Sequence, residues 1–597
     1  MDLLLNGVSV SRMFAKPPVV DFRPSMTHCA GCRCELKVLK TRARTVSTLH
    51  VGRFQARELF LICTSCGQTY RSEELCALVP PGANFGYDVM VYAGNALFLR
   101  YRNEEEVVAE LAQRNIRISP REVSLLGMKF ITYLAMAHQQ RAPDIMADMQ
   151  TRGGYICHLD ATCEGGNPLL MSSIDSLSEI VLGNVKLPAE DEAHIVPFLT
   201  RIKQTYGIPL ALVHDMGKGI LSAVAKVFPD VPDFICHFHF LRDIGKDFMG
   251  AEYGIIRKRL SAHGIGAKLR YRAKQLKAKT DKHPELIKAL ETAIGDASLP
   301  PSQARRFLPI VNTYTLIQWA LQAKSEGRGY GFPFDHPHLA LAKRIRQVHS
   351  HIENIKDIHL RGDWKDNGPY FELHVDLKKI MRDRTLWKTV EAIEEKIVVF
   401  EKLREAMRIA PKSGGNGLND EGKKGNIRTI ETRVKKFCAW MTGRKNYPQN
   451  PAAQKMIEQI DKYWTKLFAD PITVQTPSGS IRIQPQRTNN ILEQFFRALK
   501  RANRRRTGNA SSRRMLQTIL AETPLVRNLE NPAYMKIMLN GKHSLEDVFS
   551  DIDIDSFRQA FREAQDAPEK IPTKLKLLIA MPDFPEKLVN MLQRAVA

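Results

Sequence analysis

No run of about 18 apolar residues, the length a helix needs to cross a bilayer, occurs in the 597-residue chain. The start, MDLLLNGVSVSRMFAKPP, has too short an apolar core for a signal peptide. These two absences make a soluble, intracellular protein the expectation. Acid is the next shortage: 64 Asp and Glu stand against 88 Lys and Arg, a formal net charge of +24 with a pI near 9.6. Such an excess argues for a polyanionic partner, most economically nucleic acid, with anionic membrane as the competing explanation. There is no internal repeat. With 44% hydrophobic residues, sizeable cores are affordable and the composition argues against global disorder. The length suits several domains of roughly 100–200 residues each. In a reducing compartment the ten cysteines favour metal ligation over disulfides wherever they cluster.

They do cluster. Six cysteines fall between Cys29 and Cys76, including the pairs Cys29/Cys32 in CAGC and Cys63/Cys66 in CTSC. Two Cys-x-x-Cys knuckles can close a tetrahedral thiolate site around zinc. Between them RTVSTLHVGRF and ELFLI read as short strands, as in a zinc ribbon over residues 25–80. The stretch from Cys32 to Cys63 is longer than the commonest spacing, which a hairpin extension would explain. Four thiolates leave no open position, so this zinc is structural. Cys34, Cys76 and His28 are spare ligands without an assigned role. The other reading is a set of unrelated buried cysteines.

Residues 103–130, NEEEVVAELAQRNIRISPREVSLLGMKF, predict two helices. The first has an acidic opening turn. The second starts with Ser119 as N-cap, Pro120 at the first helical position and Glu122 as capping acid. Across a tight turn, this pair within 100–145 is a helix-turn-helix for DNA or an ordinary helical hairpin.

YICHLDATCEGG (155–166) reads as a buried strand closed by Asp160 and a glycine turn. More strand material follows in 169–174 and 179–187, then a helix over 191–207. IPLALVHDMGKG repeats the opening pattern, an apolar strand ending in Asp215. A helix (220–228) and a strand, DFICHFHF (233–240), complete an α/β series with a mixed sheet. Two aspartates at neighbouring strand ends repel unless a cation lies between them. Hard divalent cations such as Mg²⁺ or Mn²⁺ suit carboxylate oxygens, and a pair of ions can hold both oxygens of an in-line phosphoryl transfer. Each aspartate alone reads better as a turn former or helix cap; their repetition points to the metal reading.

A third carboxylate lies far downstream in RTNNILEQFFRALKRANRRRTG (487–508). Asn490 and Glu493 have capping-box spacing, so Glu493 caps a helix or serves the metals. Arg497, Lys500, Arg501, Arg504 and Arg505 recur at three- and four-residue intervals on the same helix. Residues 497–514 hold eight basic residues and no acid. A carboxylate heading such a stripe would set DNA phosphates beside the ions.

These residues resemble those of DDE transposases with an RNase H-like core, in particular the Mutator-like group and related bacterial insertion-sequence transposases. The likeness rests on Asp160 in HLDAT, Asp215 in VHDMGKG, Glu493 in TNNILEQFFRALKRANRRRTG, and CHFH, whose Cys236 and His239 fit the Cys/Asp-x-x-His signature of that family. It implies a multidomain α/β protein with a zinc ribbon and helix-turn-helix in front of an RNase H-like mixed sheet. The core would be split into 150–250 and 471–525 around a mostly α-helical insertion, 251–470, with a helical tail over 526–597. It further implies metal-dependent cleavage at element ends and strand transfer, two Mg²⁺ or Mn²⁺ ions on Asp160, Asp215 and Glu493, and a homodimer on terminal inverted repeats and target DNA. A cytoplasmic, nucleoid-associated protein without a membrane partner is the corresponding expectation. The alternatives are an RNase H-like nuclease without strand transfer and a non-enzymatic, domesticated DNA-binding regulator. Cys157, His158 and Cys163, with Cys236, His237 and His239, are candidates for a second soft-metal site. Glu164 is a spare carboxylate beside Asp160.

Two further stretches complete the reading. Residues 253–282 carry ten Lys or Arg and one acid, with Tyr271 among them, a pattern for tracking phosphates rather than reading bases. Residues 410–426, glycine-rich and poor in apolar side chains, read as a flexible linker.

Overall fold

The computed structural model describes residues 17–164, 168–282, 284–296, 302–359, 368–409, 427–565 and 573–596. The expected linker 410–426 lies outside them, as do the glycines that follow Asp160. The chain forms two compact units: the described residues of Met1–Ile235 and Pro471–Ala597 make one, and those of Cys236–Asp470 the other. The second is thus inserted in the sequence of the first.

The first unit opens with a four-stranded sheet. β2 (Leu36–Thr48) and β3 (Gly52–Cys63) form one long antiparallel hairpin, with Thr48 opposite Gly52 and Leu36 opposite Cys63. β1 (Val19–Phe22) runs parallel to β3, and β4 (Thr69–Tyr70) pairs with its other end. RTVSTLHVGRF is therefore not one strand. It straddles the hairpin turn at 49–51, and this extension fills the long gap between the two cysteine pairs. Phe22, Val46, Phe54 and Ala56 pack with Leu75 of the following helix and Val79 just after it into a small core of their own.

The larger sheet has the order β7-β6-β5-β8-β9. β5 (Ile156–Thr162), β6 (Leu169–Asp175) and β7 (Val181–Leu187) are an antiparallel meander; β8 (Ala211–His214) and β9 (Asp233–Ile235) add parallel to β5. Their near-continuous burial explains the apolar runs, because both faces are covered. On one face Cys157, Leu159, Met171 and Leu212 join helices Tyr87–Phe98, Pro120–Gln140 and Glu192–Tyr206 in a large core. On the other, Ile156, Ala211 and Val213 meet Ile472 and Ile483 of the hairpin formed by β10 (Ile472–Thr476) and β11 (Gly479–Ile483).

Two strand limits differ from the sequence expectation. β5 does not stop at Asp160 but runs on to Thr162, with Asp160 paired to Ser172 of β6. The strand expected over 233–240 ends at Ile235, and His237–Ala262 is a helix. Phe240, Leu241, Ile244 and Phe248 are buried at helical spacing there, a period that strand alternation cannot match.

The helices expected in 103–130 are Glu104–Gln113 and Pro120–Gln140. Asn103 and Glu106 form a reciprocal capping box, and Ser119 accepts from the Glu122 amide with Pro120 at the first turn. Val123, Phe130, Tyr133 and Leu134 bury the second helix in the large core. The tail joins the same core through Tyr534, Phe549 and Phe557. Buried His138 ties these layers together: its ring contacts Tyr534 Oη at 3.0 Å and Tyr206 Oη at 2.7 Å. Burial pushes its pKa down to about 4, so it is a neutral hydrogen-bonding hub at physiological pH.

In the second unit the regular elements among the described residues are helices. GRGYGFPFDHP separates them as expected, and its Phe334 stacks on Phe238, ring centroids 4.8 Å apart. Among the described residues no helix is long and apolar enough to cross a membrane.

Candidate metal centres and basic helix

The cysteine pairs meet. Cys29 and Cys32 precede β2, Cys63 ends β3 and Cys66 follows it, so closing the hairpin brings both knuckles together. Sulfur–sulfur distances are 3.5 Å for Cys29–Cys66 and 3.2 Å for Cys32–Cys63, and one ligand atom from each of the four lies within 4.8 Å of the others. Zinc–sulfur bonds of about 2.3 Å imply tetrahedral edges of about 3.8 Å, which the cluster approximates. The Cys32 backbone amide and the Tyr70 hydroxyl pull the Cys29 thiol down to about 6. The Gln68 amide acts in the same sense on Cys66, but neighbouring Cys29 and Cys63 outweigh it and push that thiol up to about 12. Four sulfurs this close cannot all ionise without a cation among them, and the cluster could hold a structural metal such as zinc. Tyr70, which donates to Cys29 Sγ at 3.1 Å and accepts from the Ala30 amide at 2.9 Å, is a supporting residue that sequence spacing does not single out. Cys34 is exposed and bonds the Cys32 carbonyl; Cys76 sits on the helix Glu73–Leu78; His28 is paired with the Thr27 hydroxyl.

At the larger sheet, β5 and β8 are parallel with His158 opposite Val213. Two residues further along each strand's path stand Asp160, still inside β5, and Asp215, just past the end of β8, so continuing the register puts both aspartates in one row. Asp160 is 7% exposed and accepts from the Ala161 amide at 2.8 Å. Asp215 is half-buried and accepts from the Gly217 amide at 2.9 Å, the local turn bond typical of aspartate. Fully buried His214 fixes this strand end, one ring nitrogen on the Asp215 carbonyl and the other 3.3 Å from Asp233.

A carboxylate that sequence reasoning passed over lies beside Asp215. Glu190 is solvent-exposed as a residue, yet desolvation of its carboxyl and the Asp215 charge push it up to about 7. Its only sequence signal is the acid-rich turn PAEDE before the next helix. The glycines of VHDMGKG make this approach possible. A Cβ on Gly217 would stand 2.6 Å from Glu190 Oε1, and one on Gly219 would stand 2.3 Å from the Glu190 carbonyl and 2.8 Å from Asp191 Cα.

The helix Asn490–Thr507 carries Glu493 in its first turn. The expected capping box is not formed: the residue before the helix is Asn489, and its side chain makes no cap bond. Asn489 instead donates to the Leu159 carbonyl at 2.7 Å and meets His158 Nδ1 at 2.9 Å. Burial pushes His158 down to about 4, so the neutral ring donates this bond to the Asn489 side-chain oxygen. The helix is thereby latched to β5 at the two residues just before Asp160, and Glu493 is half-buried one turn further on. Asp160, Asp215 and Glu493 do not, however, offer three ligand atoms mutually within 4.8 Å, as the cysteines do.

Leu492, Phe495 and Phe496 bury the opposite side of this helix. Arg497, Arg501, Arg504 and Arg505 are exposed and Lys500 half-buried, with the Arg505 guanidinium over the Tyr101 ring. Arg506 turns inward over Phe98, and burial lowers its pKa. In the inserted unit, the basic stretch falls on helices His237–Ala262 and Ile265–Thr280, where Tyr271 is 66% exposed and Arg272 is paired with Glu372 and Asp376. Cys236 precedes the first of these helices and His239 is buried in its opening turn, where burial pushes its pKa down to about 3.

Several candidates for a second soft-metal site have other partners. Cys157 Sγ lies 3.2 Å from Ser173 Oγ, His158 is held by Asn489, and His237 contacts the Leu467 carbonyl at 2.8 Å; Cys163 is exposed. Glu164 accepts from the Arg513 amide at 2.9 Å and so caps the helix Ser512–Thr518. No protein-family model matches the chain, and no curated protein does.

Proposed function

We propose that the chain is a DNA transposase of the DDE type, cutting at element ends and joining them to target DNA through an RNase H-like core. The observation that carries this reading is the parallel pairing of β5 and β8, whose register, continued by two residues, aligns Asp160 with Asp215, with the Glu493 helix latched to β5 by Asn489. An antiparallel meander continued by two parallel strands supports the RNase H-like assignment.

The donor set fits hard divalent cations, which take carboxylate oxygens. Glu190, raised first by desolvation and then by the Asp215 charge, adds a further carboxyl beside Asp215. Two ions about 3.5–4 Å apart are held by a wider set of carboxylates than one ion is, which suits three acids that do not close on a single point. Asp160, Asp215 and Glu493 would hold Mg²⁺ or Mn²⁺, and the bound pair would activate the attacking water or 3′-hydroxyl and stabilise the leaving 3′-oxygen. Asn489 and His158 position the helix, and Gly217 and Gly219 let the Glu190 turn close on Asp215. Arg497, Lys500, Arg501, Arg504 and Arg505 bind DNA phosphates next to the acids. The zinc ribbon contributes a rigid second surface to DNA, and joining two ends requires two copies of the chain.

The test is incubation with labelled element ends in Mg²⁺ or Mn²⁺. Asp160→Asn is expected to abolish cleavage and strand transfer while DNA binding persists. Cleavage retained in that variant removes the proposed role; cleavage without joining by the unaltered chain identifies a nuclease, and binding alone a regulator.

A further inference from the structure

The inserted unit brings together two histidines and a glutamate that belong to none of the motifs discussed so far. His349 and Glu353 are four residues apart on the helix Pro337–His359, hence on one face. His374 comes from the helix Gly368–Met381. One ligand atom from each lies within 4.8 Å of the other two. Both imidazoles present Nε2 to the same carboxylate oxygen, Glu353 Oε1: His374 is hydrogen-bonded to it, and His349 stands 3.7 Å away. The rings face each other with centroids 5.4 Å apart and planes 25° apart.

The His349–Glu353 separation of 3.7 Å is too long for a hydrogen bond. It is near the tetrahedral edge of about 3.4 Å that follows from zinc–nitrogen and zinc–oxygen bonds of about 2.0–2.2 Å. Val348, Ile352, Leu373 and Leu377 are buried around the cluster, so packing holds the two helices in place before any ion arrives. His374 is buried while His349 and Glu353 are half-buried, which leaves a route for an ion from solvent.

We propose that His349, Glu353 and His374 form a zinc site that bridges these two helices and keeps an open coordination position. Two imidazoles and one carboxylate select a borderline metal over Mg²⁺, which prefers an all-oxygen shell. Three protein ligands leave a fourth position for water. The site is independent of the transposase reading.

The full chain, loaded with Zn²⁺ in excess Mg²⁺ and then desalted, is expected to retain one zinc beyond that of the cysteine cluster. Cys32→Ser/Cys66→Ser should lose the cysteine-bound metal and keep the other. Glu353→Gln and His349→Asn/His374→Asn should do the reverse. With Co²⁺ in place of zinc, they should keep the thiolate charge-transfer band while losing the weaker absorption of the nitrogen–oxygen site. The proposal is overturned if the unaltered chain retains only cysteine-bound metal, a result that needs no variant to fold. It is equally overturned if Glu353→Gln and the double histidine variant leave the metal content unchanged.

Discussion

The cysteine cluster and the strand-end carboxylates are both candidate metal centres in the first unit, and they are built in opposite ways. The four thiols come from the two ends of one hairpin, and their sulfurs already converge at 3.2 and 3.5 Å. The three acids come from a strand, a strand end and a helix distant in sequence; they share a register and a latch but not a single coordination point. A structural ion needs closed, preset geometry, whereas an ion that exchanges with substrate oxygens needs open positions. The difference in convergence is therefore the difference expected between a centre that holds a fold and one that handles a substrate.

The largest effect should come from breaking the closed centre. Cys63→Ser removes a thiolate from a site where a bound structural metal would contribute folding energy directly, about 10 kcal/mol in small zinc peptides. Hydrogen exchange should accelerate in β2, β3 and β4 while protection in β5 to β8 persists, since the ribbon has its own core. Equal loss of protection in both sheets would show that the two regions do not differ as described. On the proposed function, Asp215→Asn at the open centre should lower metal-dependent cleavage by about 10²–10³-fold, the scale of removing one preorganised electrostatic group, with little change in melting temperature.

The latch comes next. Asn489→Ala strands the His158 ring and the Leu159 carbonyl in a buried setting, a loss of about 1–3 kcal/mol, visible as a lower denaturant midpoint. It should also weaken catalysis, because Glu493 rides on the helix that Asn489 holds. Gly219→Ala, whose Cβ meets backbone at 2.3 Å, should cost about 1–3 kcal/mol by overpacking. Gly217→Ala should cost less, since its nearest obstacle is the end of the Glu190 side chain.

The same contrast explains what the sequence made legible. Cysteine pairs announce themselves because the spacing within each knuckle is local and the residue type is rare. Apolar runs gave β6, β7 and β8 within a few residues, because strands covered on both faces are uniformly apolar. DFICHFHF does not mark the end of β9, because it is apolar at both periods and only tertiary packing selects the helix from His237. Asn489 and Glu190 were not legible at all. Asn489 sits where a helix cap belongs, yet its side chain serves a strand far away in sequence, and Glu190 acquires its environment only when the 190–191 turn packs on Gly217 and Gly219. Local chemistry is written in order along the chain; the chemistry of the open centre depends on contacts that sequence order does not encode.

The smallest effect is the most specific probe of that centre. The Glu190 carboxyl is raised to about 7 by desolvation and Asp215, so the folded chain holds a proton there that the unfolded chain releases near pH 4.5. Between those values the native state binds more protons, and stability falls as pH rises through the window. Glu190→Gln removes the titration and should flatten this part of the pH–stability curve, leaving the variant slightly more stable than the unaltered chain at pH 8 and indistinguishable from it at pH 4. Because the side chain reaches solvent, screening keeps the difference small, and melting curves at several pH values are the suitable measurement. Saturating Mg²⁺ should erase the difference in the unaltered chain, since a cation at Asp215 favours the Glu190 carboxylate that the aspartate alone disfavours. A pH dependence that persists with the ion bound would place the cation elsewhere and leave Asp215 without its proposed ligand role.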